Sequence, residues 1–205
     1  MIKVGLTGGI ATGKTTVASM LRDRDVPVLD ADPLGHELLE PGQAAYDEVV
    51  AVFDEDILDA NGKVNRAKLG RVVFADPQKR ERLNQILHPR ILEVAQKWFA
   101  ALDGPDSPPF AVVEAALIFE ARYNRNLDKI IVCWCRPEQQ FERLALRGLS
   151  VDEANQRISA QMPLDQKRKL ADEMIDCSSS IEETELQVDR VVEKLKSEAS
   201  GRNIP

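Results

Sequence analysis

Gly8-Gly9-Ile10-Ala11-Thr12-Gly13-Lys14-Thr15 fits the spacing G-x-x-x-x-G-K-[ST], a pattern suited to gripping a chain of phosphates. Glycines let the backbone curl so that successive N–H groups point inward at phosphate oxygens, and the N-terminus of a following helix adds positive partial charge. The Lys14 ammonium can reach the outer phosphates, and the Thr15 hydroxyl can ligate Mg²⁺.

Carboxylates and cations elsewhere could complete such chemistry. Asp30-Ala31-Asp32 falls just beyond the second apolar strand of the sequence, in the crevice where open α/β sheets bind ligands. Period-two geometry points Asp30 and Asp32 the same way. A carboxylate there can accept the proton of an attacking hydroxyl or hold Mg²⁺ through water, while Asp32-Pro33 is equally good chemistry for a turn or helix cap. Arg136, Arg143, Arg147, Arg157, Lys167 and Arg168 follow the fourth strand. Each alone reads as readily as part of a solvated helix face; as a group they are placed to close over phosphates, and Arg143 and Arg147, four apart, share one helix face.

The elements that must position these residues show as an alternation. Apolar strands are predicted at 2–6, 26–29, 110–118 and 129–135, with a helix at 15–24 and helical patterns over much of the rest. Short strands separated by helices indicate a parallel sheet covered on both faces. Residues 33–87 hold no convincing buried strand and are punctuated by Pro41-Gly42, Asn61-Gly62 and Asp76-Pro77, as expected of an inserted lobe. His88-Pro89 is expected to interrupt the helical pattern, because proline lacks the N–H and disfavours an α conformation in the residue before it. A second helix, with Ile91, Leu92, Ala95, Trp98, Phe99 and Leu102 on its apolar face, would then return the chain to the core. A last amphipathic helix starts at Ile181, and the segment from Ser197 onward is expected to fray.

Composition narrows the classes. The chain of 205 residues carries a net charge of −7, which argues against broad binding to a nucleic-acid backbone but leaves room for a small anionic ligand held by local positive charge. No apolar run approaches the roughly 18 residues of a membrane span, and Met1 leads straight into the first strand, so a cytoplasmic protein is expected. Cys133, Cys135 and Cys177 lack C-x-x-C spacing and a nearby cluster of further ligands, and read as small buried hydrophobes.

In order along the chain, Thr7-Gly8-Gly9-Ile10, the Gly13-Lys14-Thr15-Thr16 turn, Asp30-Ala31-Asp32, His36-Glu37-Leu38 with Pro41-Gly42, Arg66 with Leu69 and Val73-Phe74, His88-Pro89, Leu117-Ile118-Phe119-Glu120, Gln140 with Arg143, and Gln161 with Lys167 and Ala171-Asp172 resemble the dephospho-CoA kinases. The likeness covers residues 2–176. It implies an α/β P-loop kinase three-layer fold with a parallel five-stranded sheet, and transfer of the ATP γ-phosphate to the ribose 3′-hydroxyl of dephospho-CoA, giving CoA and ADP with Mg²⁺ accompanying ATP. By the same likeness Gly9, Ala11, Thr12, Gly13, Lys14, Thr15 and Thr16 bind ATP. Thr15 holds the metal, and Asp32, Lys14, Arg143 and Arg147 are catalytic, with Asp32 the base. Asp32, His36, Arg66, His88 and Leu117 face the acceptor.

The implied organisation is a nucleotide-binding core (1–32, 85–135 and 170–205), an acceptor lobe (33–84) and a lid (136–169). Expected partners are ATP and dephospho-CoA, without nucleic acid or membrane, in a monomer or weak homo-oligomer. Arg66 also has a case of its own, since a guanidinium can grip a phosphate bidentately; His88, before a proline, reads more readily as structural. The chain departs from the family pattern at Ala116, where proline is usual, at Cys177-Ser178, where Asn-Gly is usual, and at Asn65, where an Asp commonly precedes the arginine.

Two other functions fit parts of the sequence. A kinase for a nucleotide or other small metabolite would show its own acceptor-site arginines in place of the lobe signature above. A GTP-hydrolysing switch would carry an Asn-Lys-x-Asp base-reading motif, which the chain lacks.

Because charge-assisted contacts from Lys14 strengthen as a γ-phosphoryl moves, Lys14→Ala is expected to nearly abolish transfer while the fold survives. Turnover measured beside circular dichroism checks this: a folded variant with substantial activity removes the loop from the mechanism.

Overall fold

The computed structural model describes residues 1–202. Five parallel strands, β1 (Ile2–Gly8), β2 (Val28–Asp30), β3 (Phe110–Glu114), β4 (Lys129–Trp134) and β5 (Glu173–Asp176), form one sheet in the order β2-β3-β1-β4-β5. β1 is central because both its faces are apolar: Ile2, Val4 and Leu6 are buried on one side, and Thr7 and the neighbouring Ala111, Val113 and Val132 on the other. In-register pairing sets Ile2 against Phe110, Val4 against Val112 and Leu6 against Glu114, so Glu114 emerges at the C-terminal edge on the face of Leu6. Helices α1 (Lys14–Arg22) and α9 (Ile181–Arg202) cover that face, with Val17, Leu21, Val188 and Leu195 in the same apolar cluster as Ile2 and Phe110. Each fully buried Ile, Leu or Phe side chain here contributes roughly 1.5–3 kcal/mol.

The chain forms two compact units, one of Met1–Asp30 with the chain from Trp98 onward, the other Ala31–Lys97. The second unit is helical: α2 (Leu34–Glu37), α3 (Tyr46–Phe53), α4 (Arg66–Ala75) and the first part of α5 (Pro77–Leu102) enclose Leu39, Ala45, Val49, Phe53, Ile57, Leu69, Val73 and Ile86. The turn before α4 is made by side chains. Asp59 Oδ1 accepts from the N–H groups of Asn61 (2.8 Å) and Lys63 (3.0 Å), and an isolated antiparallel bridge joins Leu58 to Val64.

Four elements differ from what the sequence predicts. α5 runs through His88-Pro89 without a break, although an interruption is expected there. Proline at 89 removes the N–H that would meet the Gln85 carbonyl, and the next residue ties this turn to its surroundings: Arg90 Nη1 donates to the Ile86 carbonyl at 2.6 Å, while Nε and Nη2 hold the Ala44 carbonyl (3.0 Å) and Glu48 (2.9 Å). Tertiary contacts thus override a local preference. The third strand stops at Glu114 instead of reaching residue 118. The apolar residues after it form buried turns in which Ala121 N–H donates to the Leu117 carbonyl, a distinction that a continuous apolar run cannot make. The residue-by-residue reading also passes over β5, whose Glu-Met-Ile-Asp sequence has only Ile175 buried. Finally, α9 continues past Ser197 to Arg202, with Ala199 buried and Glu198 paired to Lys129 at 3.2 Å; residues 203–205 lie outside the described chain.

Connecting α6 (Pro137–Leu146), α7 (Val151–Ser159) and α8 (Leu164–Lys169) fill the interval between β4 and β5. All three cysteines are free and buried, and burial pushes the Cys135 thiol up to about 11.

Asn65 caps α4, its Oδ1 accepting from the N–H groups of Ala67 and Lys68, both at 3.1 Å. Asn65→Ala is expected to lower stability by about 1 kcal/mol and Asn65→Asp to leave it nearly unchanged, since Asp offers the same acceptor. Urea unfolding of the two variants checks this, and equal losses would mean that the cap contributes nothing.

Candidate active site

The loop between β1 and α1 has the backbone its spacing predicts. Gly13 sits at φ +99°, a left-handed conformation that costs other residues, and a Cβ there would lie 3.1 Å from Cys177 Cβ and Sγ. Ala11 also lies at positive φ (62°) without being glycine. Thr12 Oγ1 donates to the Gly9 carbonyl at 2.9 Å, and Val17 N–H donates to the Gly13 carbonyl at 3.1 Å as α1 begins. Gly9, Ala11, Thr12, Gly13, Lys14, Thr15 and Thr16 therefore lie together on this loop and the first turn of α1, where Thr15 and Thr16 are exposed.

Lys14 is almost wholly buried, and its Nζ donates to Glu114 Oε1 at 2.9 Å. Glu114 itself is fully buried. Its second oxygen, Oε2, has no hydrogen-bond partner among the described residues, although an Arg22 nitrogen lies 3.8 Å away. Sequence reasoning missed Glu114; the available signal was a lone carboxylate closing an otherwise apolar strand, a place where burial is costly without a task. The unpartnered Glu114 oxygen and the exposed Thr15 hydroxyl are both hard oxygen donors of the kind Mg²⁺ favours, and Mg²⁺ typically takes only one or two protein ligands. No group of three or more His, Cys, Asp or Glu side chains suited to a metal occurs among the described residues.

Lys167 is not on a solvated face. It is fully buried, donating to the carbonyls of Ala116 (2.6 Å) and Gly8 (3.3 Å) and pairing with Glu120 at 3.0 Å. Arg168 instead stacks over the Trp134 ring at 5.6 Å. Arg143 donates to the carbonyls of Ala11 (3.1 Å) and Cys177 (2.7 Å). With the exposed Arg147 it lines a cavity of about 360 Å³, bordered also by Ala11, Gly13, Thr16 and Cys177. The two predicted arginines and the loop thus meet at one cavity. Leu117, predicted to face the acceptor, is half-buried in the turn after β3.

In the second unit, Asp32 is exposed near the start of α2, and His36 and Arg66 are exposed as well. They form one electrostatic group. Desolvation lowers the His36 imidazole below its ordinary pKa, the Arg66 guanidinium lowers it further, and Asp32 pulls the other way. His88 lies half-buried within α5.

A parallel sheet whose first strand runs through a glycine-rich phosphate loop into α1 defines the fold of the P-loop kinases. The sequence profile described as dephospho-CoA kinase matches residues 2–183. The chain belongs to the dephospho-CoA kinase family. A dephospho-CoA kinase of Listeria monocytogenes is 41% identical over 196 residues, covering 93% of this chain and 96% of the relative. The solved dephospho-CoA kinase of Campylobacter jejuni superposes with a TM-score of 0.69 at 25% identity, over 95% of this chain and 97% of that one. A shikimate kinase from Acinetobacter baumannii, at 11% identity and a TM-score of 0.53 over 97% and 94% of the two chains, shares the fold alone.

Since Arg66 repels the protonated imidazole and Asp32 attracts it, Arg66→Ala is expected to raise the His36 pKa and Asp32→Asn to lower it further. With two histidines in the chain, NMR titration of the ring protons resolves both shifts. An unchanged titration in Arg66→Ala would show that the two side chains do not share a site.

Proposed function

We propose that this protein transfers the γ-phosphate of ATP to the ribose 3′-hydroxyl of dephospho-CoA, releasing CoA and ADP, the last step of CoA synthesis. The observation that carries the reading is the loop of residues 8–15 with its buried lysine, in a chain of the dephospho-CoA kinase family. Phosphoryl transfer needs positioning and charge neutralisation more than covalent chemistry, and the residues divide along those lines. Backbone N–H groups from Ala11 to Thr16 hold the phosphates. Lys14 exchanges Glu114 for the β- and γ-phosphate oxygens as ATP enters. The nucleoside end occupies the cavity beside Cys177, and Arg143 and Arg147 offset the charge that develops on the moving phosphoryl group. Thr15 and Glu114 would hold Mg²⁺, which neutralises phosphate charge when bound.

Asp32 orients the acceptor hydroxyl and takes its proton. His36, Arg66, His88 and Leu117 contact dephospho-CoA, with the Arg66 fork suited to a phosphate and a neutral His36 able to accept a hydrogen bond. Residues 33–84 serve as the acceptor lobe and 136–169 as the lid over a core of 1–32, 85–135 and 170–205. The compartment we assign is the cytoplasm, which supplies ATP and keeps thiols such as the three free cysteines reduced. Among the described residues no helix is long and apolar enough to cross a membrane.

A coupled ADP-release assay across dephospho-CoA, AMP, pantetheine phosphate and adenosine tests the substrate, and release that does not depend on dephospho-CoA overturns it. Asp32→Asn is expected to cut turnover about a hundredfold with ATP affinity little changed, as removal of a positioned general base should. Calorimetry beside kinetics separates the outcomes. Lost Mg-ATP binding would make Asp32 part of the metal site, and near-normal turnover would make it a turn residue.

A further inference from the structure

Ile10 stands at the crest of the phosphate loop, and side chains from two distant parts of the chain hold both of its backbone polar groups. Its N–H donates to Gln161 Oε1 at 2.8 Å, and its carbonyl accepts from Gln140 Nε2 at 2.7 Å. Gln140 comes from α6 and is nearly fully buried; Gln161 comes from the turn between α7 and α8. The approach is so close that a Cβ on Gly9 would lie 2.7 Å from Gln140 Nε2, so this glycine makes room for a glutamine as well as for a ligand. The next residue, Ala11, is held at φ 62°, which an L side chain adopts only where its surroundings impose it. Side-chain contacts flank it on both sides: the two glutamines before, and Arg143 on the Ala11 carbonyl after.

We propose that Gln140 and Gln161 are positioning residues that lock the loop in its phosphate-accepting form and thereby set nucleotide affinity. The chemistry of the two contacts has opposite polarity. Gln161 acts through its oxygen and Gln140 through its nitrogen. Glutamate can replace the first function and defeats the second, because it offers only acceptors and would face a carbonyl. Neither side chain needs to touch the nucleotide, and the Ile10 N–H is committed to Gln161 instead of to a phosphate. For its effect on turnover the proposal rests on the kinase function above; for binding it stands alone.

The test is Mg-ATP binding by calorimetry to the full chain and four variants, with melting temperature and the KM for dephospho-CoA measured in parallel. Gln161→Ala and Gln140→Ala should each weaken binding about three- to tenfold, the net worth of one such hydrogen bond. Gln161→Glu should recover most of the lost affinity, and Gln140→Glu should bind at least as weakly as Gln140→Ala. The KM for dephospho-CoA should stay constant. Identical behaviour of the two glutamate variants, or melting losses with ATP affinity unchanged, overturns the proposal. Absence of dephospho-CoA-dependent turnover in the unmodified protein would overturn the kinase function and leave the calorimetric comparison decisive for the glutamines.

Discussion

A loop that turns its N–H groups toward a polyanion turns its carbonyls away from it, and buried carbonyls need donors. Much of this structure answers that requirement. Lys167 serves Gly8, Thr12 serves Gly9, Gln140 serves Ile10, Arg143 serves Ala11, and the N–H of Val17 serves Gly13. Three of these donors come from the helical segment that follows β4, more than a hundred residues away in sequence. The segment expected to act as a lid is therefore also the scaffold of the loop, and any closing motion must leave these contacts intact or trade them for contacts to the nucleotide.

The second constraint is charge in a dry place. Lys14 and Glu114 are buried together, with side chains 10% and 1% exposed, and separating such a pair without a substitute partner costs several kcal/mol. In the proposed function an entering polyphosphate supplies that substitute for Lys14. One Glu114 oxygen has no hydrogen-bond partner among the described residues, so its carboxylate is only half satisfied by Lys14. Lys167 and Glu120 form a different kind of pair. The ammonium has two carbonyls and a carboxylate, and Glu120 also accepts from the Met162 N–H, so the group is positioned to fix backbone turns.

The sequence by itself determined where the loop lies and which residue types it carries. Its spacing names the glycines, the lysine and the hydroxyl, and the alternation of apolar runs with helical ones requires a parallel sheet beneath them. It also located β1, β2 and β4 to within a few residues and found the helical insertion, because these depend on local pattern. Tertiary structure decided what depends on distant partners. Pro89 stays inside a helix that Arg90 ties to Ala44 and Glu48, and the apolar residues after Glu114 turn instead of extending, with Ile118 and Phe119 buried. Lys167 reads as one more cation on a basic segment until the fold buries it under Gly8. Glu114 looks like an interruption of an apolar strand until β1 and α1 bring Lys14 to it. Periodicity and spacing encode where a side chain points along its own element; which group it meets there is fixed by contacts that no local pattern carries.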